Sequence, residues 1–170
     1  MTKLVLRLQE SWAIVLMLLS WLASKCAASE HELWLFCERG TDARDNGYWM
    51  FRYIKQHHPE INARYIITTH SEDRHKLEAW RKDLVRTGSF RHYRLMWQAR
   101  KYLSTHNCGC FPHFVKEIPL LSRIVKKLHP DSQVVWLQHG ITKHDMPEYH
   151  YERIVVDKLI CGAYPEYQFF

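Results

Sequence analysis

Residues 33–69 read LWLFCERGTDARDNGYWMFRYIKQHHPEINARYIITT. An apolar run, LWLFC, stops on a charged loop punctuated by glycine, ERGTDARDNG. YWMFRYIKQHH follows with helical character, and its Trp49, Tyr53 and Ile54 share one side at i, i+4, i+5 spacing. Pro59 cannot continue that helix. A second apolar run, RYIITT, comes next at residues 64–69. Strand, loop, helix and strand in this order make one βαβ unit.

The alternation persists downstream. Ser71 is placed to cap a helix over 71–84. A weaker strand is expected at 89–92, a helix at 94–101 and a strand at 102–106. A helix over 114–128 leads to VVWL, which ends on Gln138, His139 and Gly140. KLICG, 158–162, reads as the last strand. With no internal repeat or long linker, the pattern predicts an α/β fold: a Rossmann-like parallel sheet with helices on both faces. Ligands collect beyond the carboxyl ends of such strands. Three of the expected strands end there in polar groups, at 37–40, 105–107 and 138–140.

The chain divides into an apolar amino-terminal helix over 1–29 and the Rossmann-like domain over 30–170. WAIVLMLLSWLA, residues 12–23, is shorter than the ~20 residues a membrane-spanning helix needs. It reads as a helix packed on the domain or lying flat in a lipid interface; the CAAS stretch leaves a signal peptide as the other reading. The formal charge of +6 favours acidic partners such as phosphorylated substrates or anionic membrane. No nucleic-acid motif accompanies it, and nucleic-acid binding is not expected. Five scattered cysteines do not form a disulfide pattern and fit a reducing compartment. Many of the twelve histidines, including His57, His58, His70, His75 and His92, fall in polar stretches that suggest the surface.

His139 is the foremost chemical candidate, because an imidazole at a strand end suits proton removal from an alcohol. Gly140 would let a phosphate approach closely, and Gln138 could orient a substrate oxygen. The competing reading is a histidine satisfied by a neighbouring carbonyl. In the first βα loop Glu38, Arg39, Asp42, Arg44 and Asp45 surround amides that could hold an anion at the next helix start. The competing reading, of equal weight, is that Asp45 or Asn46 simply caps that helix. There is no GxGxxG, so a dinucleotide fingerprint is absent. His106, Cys108, Cys110 and His113 lack the paired spacing of a zinc site, so no metal is expected.

Taken in order, ERGTDARDNGYWMFRYI, LSTH, VVWLQHGITK and LICGAYPEY resemble the CDP-glycerol:poly(glycerophosphate) glycerophosphotransferases, the teichoic acid primases and polymerases of bacteria. The resemblance covers residues 33–170. It implies the amino-terminal half of a GT-B fold, with the carboxyl-terminal donor-binding domain lying outside this chain. It implies a CDP-glycerol donor, a polyol-phosphate or lipid-linked acceptor, no cofactor, and a peripheral location on the cytoplasmic face of the cell membrane. His139 is then the expected base. Gln138, Gly140, Glu38, Arg39, Asp45, Asn46 and His106 are the expected substrate-binding residues. Two other functions remain open: a non-catalytic remnant that binds anionic membrane or polyphosphate, and a GT-B glycosyltransferase using a nucleotide-sugar.

Overall fold

The computed structural model describes residues 3–138 and 154–162. Its elements in chain order are α1 (Lys3–Cys26), β1 (Trp34–Cys37), α2 (Asn46–His57) and β2 (Ala63–Ile67). A 3-10 segment (Glu72–Asp83), β3 (Leu84–Arg86), α3 (Phe90–Met96) and β4 (Lys101–Ser104) follow. The chain continues through α4 (His113–Glu117), α5 (Pro119–Leu128), β5 (Gln133–Leu137) and β6 (Lys158–Ile160).

Among the described residues six strands form one sheet in the order β3-β2-β1-β4-β5-β6, and every pairing is parallel. The fold is α/β and Rossmann-like, as the βαβ pattern predicts. The chain builds outward from β1 to β3, then crosses back to place β4 on the other side of β1. That reversal opens a crevice between the carboxyl ends of β1 and β4.

Strand side chains alternate between two cores, as period two requires. Leu35 and Cys37 join Ile66, Tyr102 and Val134 in one core; Phe36 joins Tyr65, Ile67, Leu103 and Val135 in the other. In α2 the buried residues are Gly47, Tyr48, Phe51 and Ile54, whereas Trp49 and Tyr53 are exposed. The inner face is therefore rotated from the one expected. Phe51 sets it, packing its ring against those of Phe36, Tyr65 and Trp80 at 5.3–5.8 Å between centroids.

Other boundaries move for identifiable reasons. Ser71 does cap, accepting from the Asp73 N–H at 3.1 Å, but the segment it opens is 3-10 and its end is β3. The strand expected at 89–92 is instead the start of α3, because Ser89 accepts from the His92 N–H at 3.2 Å. Consequently Lys101 opens β4 and does not end a helix. Pro119 divides the helix expected over 114–128 into α4 and α5. The residue before it, Ile118, is extended at φ −112° and ψ 99°, as a pre-proline position favours. His92 is buried, contrary to its polar sequence context.

Helix α1 lies on the sheet face that carries α3. Ala13, Met17 and Ser20 are buried there, and the Ser20 hydroxyl accepts from the Trp97 indole N–H at 3.2 Å. Gln98 donates to the Ser24 and Ala28 carbonyls, both at 3.3 Å. The opposite half of the helix exposes Trp12, Ile14, Val15, Leu18, Leu19 and Leu22. No described helix is long and apolar enough to cross a membrane.

Candidate functional site

The crevice is built from the loops that leave β1, β4 and β5. On the β1 side stands Glu38, a carboxylate only 1% exposed. It accepts hydrogen bonds from the backbone N–H groups of Arg44 at 3.1 Å, Asp45 at 2.8 Å and Tyr48 at 3.0 Å. These donors belong to the start of α2 and the residues just before it, where a Rossmann domain would receive a phosphate. The chain supplies its own anion there. Glu38 thus organises the loop through these three bonds.

Asp45 is the N-cap of α2 and accepts from the Asn46 N–H at 2.8 Å. Asn46 reaches across the crevice mouth: its Nδ2 donates to the Gln138 carbonyl at 2.5 Å. Gln138 also donates its backbone N–H to Ile160 at 3.2 Å, so the end of β5 is fixed from both sides. His139 and Gly140 lie outside the described residues.

Arg39, whose side chain is 63% exposed, donates from Nε to His106 Nε2 at 3.0 Å and from Nη1 to Asp42 at 3.3 Å. Because a guanidinium can only donate, Nε2 of His106 must offer its lone pair. The ring proton then sits on Nδ1, 3.0 Å from the Thr105 hydroxyl. The His106 backbone N–H donates to Ser104 Oγ at 3.1 Å. Of the eight sequence candidates, Glu38, Arg39, Asp45, Asn46, Gln138 and His106 are thereby brought around one crevice.

Several contributing residues carry no sequence signal of their own. Thr105 is fully buried, and its carbonyl accepts from the Trp136 indole N–H at 2.9 Å. The THNCGC loop lies on the crevice floor. A Cβ at Gly109 would stand 2.0 Å from Ser104 Oγ and 2.5 Å from the Glu38 carbonyl, so only glycine fits. Its neighbours Cys108 and Cys110 are buried, and burial raises both thiols, Cys108 to about 11. Cys110 donates to the Leu35 and Leu103 carbonyls at 3.2 and 3.3 Å. These are inert protonated thiols inside the core. Buried His92 binds the same loop to α3, with Nε2 2.9 Å from the Cys110 carbonyl and Nδ1 accepting from the Gly88 N–H at 3.0 Å.

No protein family's sequence profile matches the chain, and no solved structure matches it. Over 140 residues, 80% of its length, it is 29% identical to the minor teichoic acid biosynthesis protein GgaB of Bacillus subtilis (strain 168). The chain is similar to a teichoic acid biosynthesis protein. It spans about 15% of the length of that relative. The resemblance carried by the ordered motifs therefore stands, and the matched length takes in much of the Rossmann-like domain.

Proposed function

We propose that the chain is the acceptor-side domain of a GT-B glycerophosphotransferase that moves glycerol phosphate from CDP-glycerol to an acceptor hydroxyl during teichoic acid synthesis. The observation that carries the reading is the Arg39–His106 pair at the β1/β4 switch point, beside the Gln138 end of β5. A guanidinium there suits a transferring phosphate, whose charge must be stabilised as it passes between oxygens. Among the described residues Arg39 uses Nε and Nη1, leaving Nη2 to meet that phosphate.

In this scheme an acceptor hydroxyl attacks the β-phosphorus of CDP-glycerol. The new P–O bond forms as the bond to CMP breaks, and His139 takes the hydroxyl proton. Gln138 and Gly140 flank that base, while Asn46 holds the end of β5 against α2. Glu38 and Asp45 shape the loop from within. The donor's nucleotide is bound chiefly by a second domain.

The same reading puts the domain on the inner membrane surface. The outer half of α1 supports this, since residues 12–24 contain no charge and Lys25 follows them. An apolar helix face with Lys25 at one end, and Arg7 one turn beyond Glu10 at the other, is suited to a lipid interface.

The test combines this chain with one carrying the donor domain and measures CMP release from CDP-glycerol in the presence of acceptor. His139→Ala is expected to reduce turnover by ~100-fold or more, the usual loss on removing a general base. Unchanged turnover would remove His139 from the mechanism. Nucleotide release from a nucleotide-sugar, with none from CDP-glycerol, would replace the reaction altogether.

A further inference from the structure

The Arg39 guanidinium is held at two of its nitrogens, from the loop after β1 and from the loop after β4. We infer that Thr105 and His106 are positioning residues that fix this guanidinium, and that only a neutral His106 with its proton on Nδ1 can do so. The inference rests on the role proposed above for Arg39 and adds what controls it.

Two anchors set the plane of the group. Nη1 donates to Asp42 at 3.3 Å and Nε donates to His106 Nε2 at 3.0 Å. Alone, the Asp42 contact is an exposed ion pair, which holds a guanidinium weakly and lets it pivot. A second bond, to a second nitrogen of a planar group, removes that pivot and fixes the direction of Nη2. Both anchors are themselves braced. Asp42 accepts from the Thr41 hydroxyl at 2.8 Å through its side chain, and from the Tyr65 hydroxyl at 3.0 Å through its carbonyl. The His106 backbone donates to Ser104 Oγ at 3.1 Å and accepts from the Gly109 N–H at 3.0 Å.

Ring chemistry decides whether the second bond exists. A neutral imidazole has one donor nitrogen and one acceptor. Thr105 is fully buried, and its hydroxyl lies 3.0 Å from His106 Nδ1. With the proton on Nδ1 that hydroxyl accepts from the ring, and Nε2 accepts from Arg39. The other tautomer sets Nε2–H against the Arg39 Nε–H, donor facing donor. Protonation does the same and also brings two cations together.

The surroundings do not offset that second cation. The β1–α2 loop presents Arg39 and Asp42 to the ring, while the Glu38 carboxylate is turned to the α2 amides. In the loop after β4 Cys108 and Cys110 are kept protonated by burial, and His92 of α3, which binds that loop, is kept neutral. Lys116 of α4 adds positive charge near Cys108 and His92. Asp42 can compensate Arg39 or a charged His106, but not both. Protonation of His106 therefore releases the guanidinium. Because its Nε2 lone pair is engaged by Arg39, His106 acts through that residue and leaves the role of base to His139.

The test is NMR of the full chain labelled with ¹⁵N. At mildly alkaline pH the long-range ¹⁵N–¹H spectrum should show His106 as the Nδ1–H tautomer, with the Arg39 Nε–H rigid by its heteronuclear NOE. On acidification Arg39 should become mobile with the midpoint at which His106 protonates. Thr105→Val leaves Nδ1–H without an acceptor and should move the equilibrium about tenfold towards a released guanidinium, whereas Thr105→Ser, which keeps the hydroxyl, should restore it. His106→Gln, whose amide oxygen accepts without titrating, should keep Arg39 rigid in acid. An Nε2–H tautomer in the parent, an Arg39 signal indifferent to His106 protonation, or equal rigidity in Thr105→Val would each overturn the inference. In the combined transfer assay Thr105→Val should lower kcat about tenfold and leave KM for CDP-glycerol within about twofold, as loss of a transition-state contact does; a change in KM alone would also overturn it. A held Arg39 with no transfer in any combination would retain the positioning and remove the reaction. CMP release by a parent chain whose Arg39 is mobile at every pH would do the reverse.

Discussion

Replacing Glu38 by glutamine tests the internal anion directly. The change preserves shape and removes charge. Oε1 of Glu38 accepts from the Asp45 and Tyr48 amides, and Oε2 accepts from Arg44 at 3.1 Å. A glutamine oxygen can keep the first two, but as neutral bonds that lose roughly 0.5–1 kcal/mol each relative to charged ones. Its NH₂ group would then face the Arg44 N–H, donor against donor, and an unsatisfied buried donor costs about 1–3 kcal/mol. Loss of the negative charge beside the α2 amino terminus adds roughly 0.5 kcal/mol. Together these give a destabilisation of about 3 kcal/mol. With a urea dependence of ~2 kcal/mol per molar, typical of a small domain, the unfolding midpoint should fall by about 1.5 M. Circular dichroism and tryptophan emission would both follow the transition. A midpoint within about 0.3 M of the parent would refute the assignment of Glu38 as the organiser of this loop.

Two further outcomes follow from the crevice floor. Burial pushes His92 down to about 4, so it is neutral in the fold and protonates more readily once unfolded. Its contribution is complete above about pH 6.5 and is lost as pH falls towards 4. Urea midpoints between about pH 7 and pH 4.5 should therefore drop less steeply in His92→Gln than in the parent; equal slopes would contradict this. Gly109→Ala should cost about 2–3 kcal/mol by overlap with Ser104 and Glu38. Gly88→Ala, at φ +70° with open space around it, should cost only about 1 kcal/mol for the backbone conformation. Equal thermal shifts for the two would refute the packing explanation.

The fold was legible because the information that specifies it is local. Apolar runs such as LWLFC and RYIITT, separated by a helix and ended by Pro59, announce βαβ units wherever they occur. Boundaries were less legible where one short side chain decides them. Ser89 starts a helix by a single hydrogen bond, and the polar SEDRHKLEAWRKDL gives no hint that it winds as 3-10 and releases Leu84 to a strand. The crevice residues at the strand ends were visible as polar groups following apolar runs. Their roles were not. Whether Glu38 faces a ligand or its own backbone depends on where six to ten residues of following loop return. The purpose of CGC was equally hidden, because Gly109 is required not only by nearby Ser104 but by the carbonyl of Glu38, which is remote in the sequence.

The two deeply buried indoles make the molecule self-reporting. Trp97 gives its N–H to Ser20 on α1, and Trp136 gives its N–H to Thr105, one residue before His106. Detachment of the amino-terminal helix and movement of the crevice would therefore quench or red-shift different fluorophores. A pair of single Trp→Phe substitutions would separate the two signals, allowing each event to be timed optically without attaching any dye.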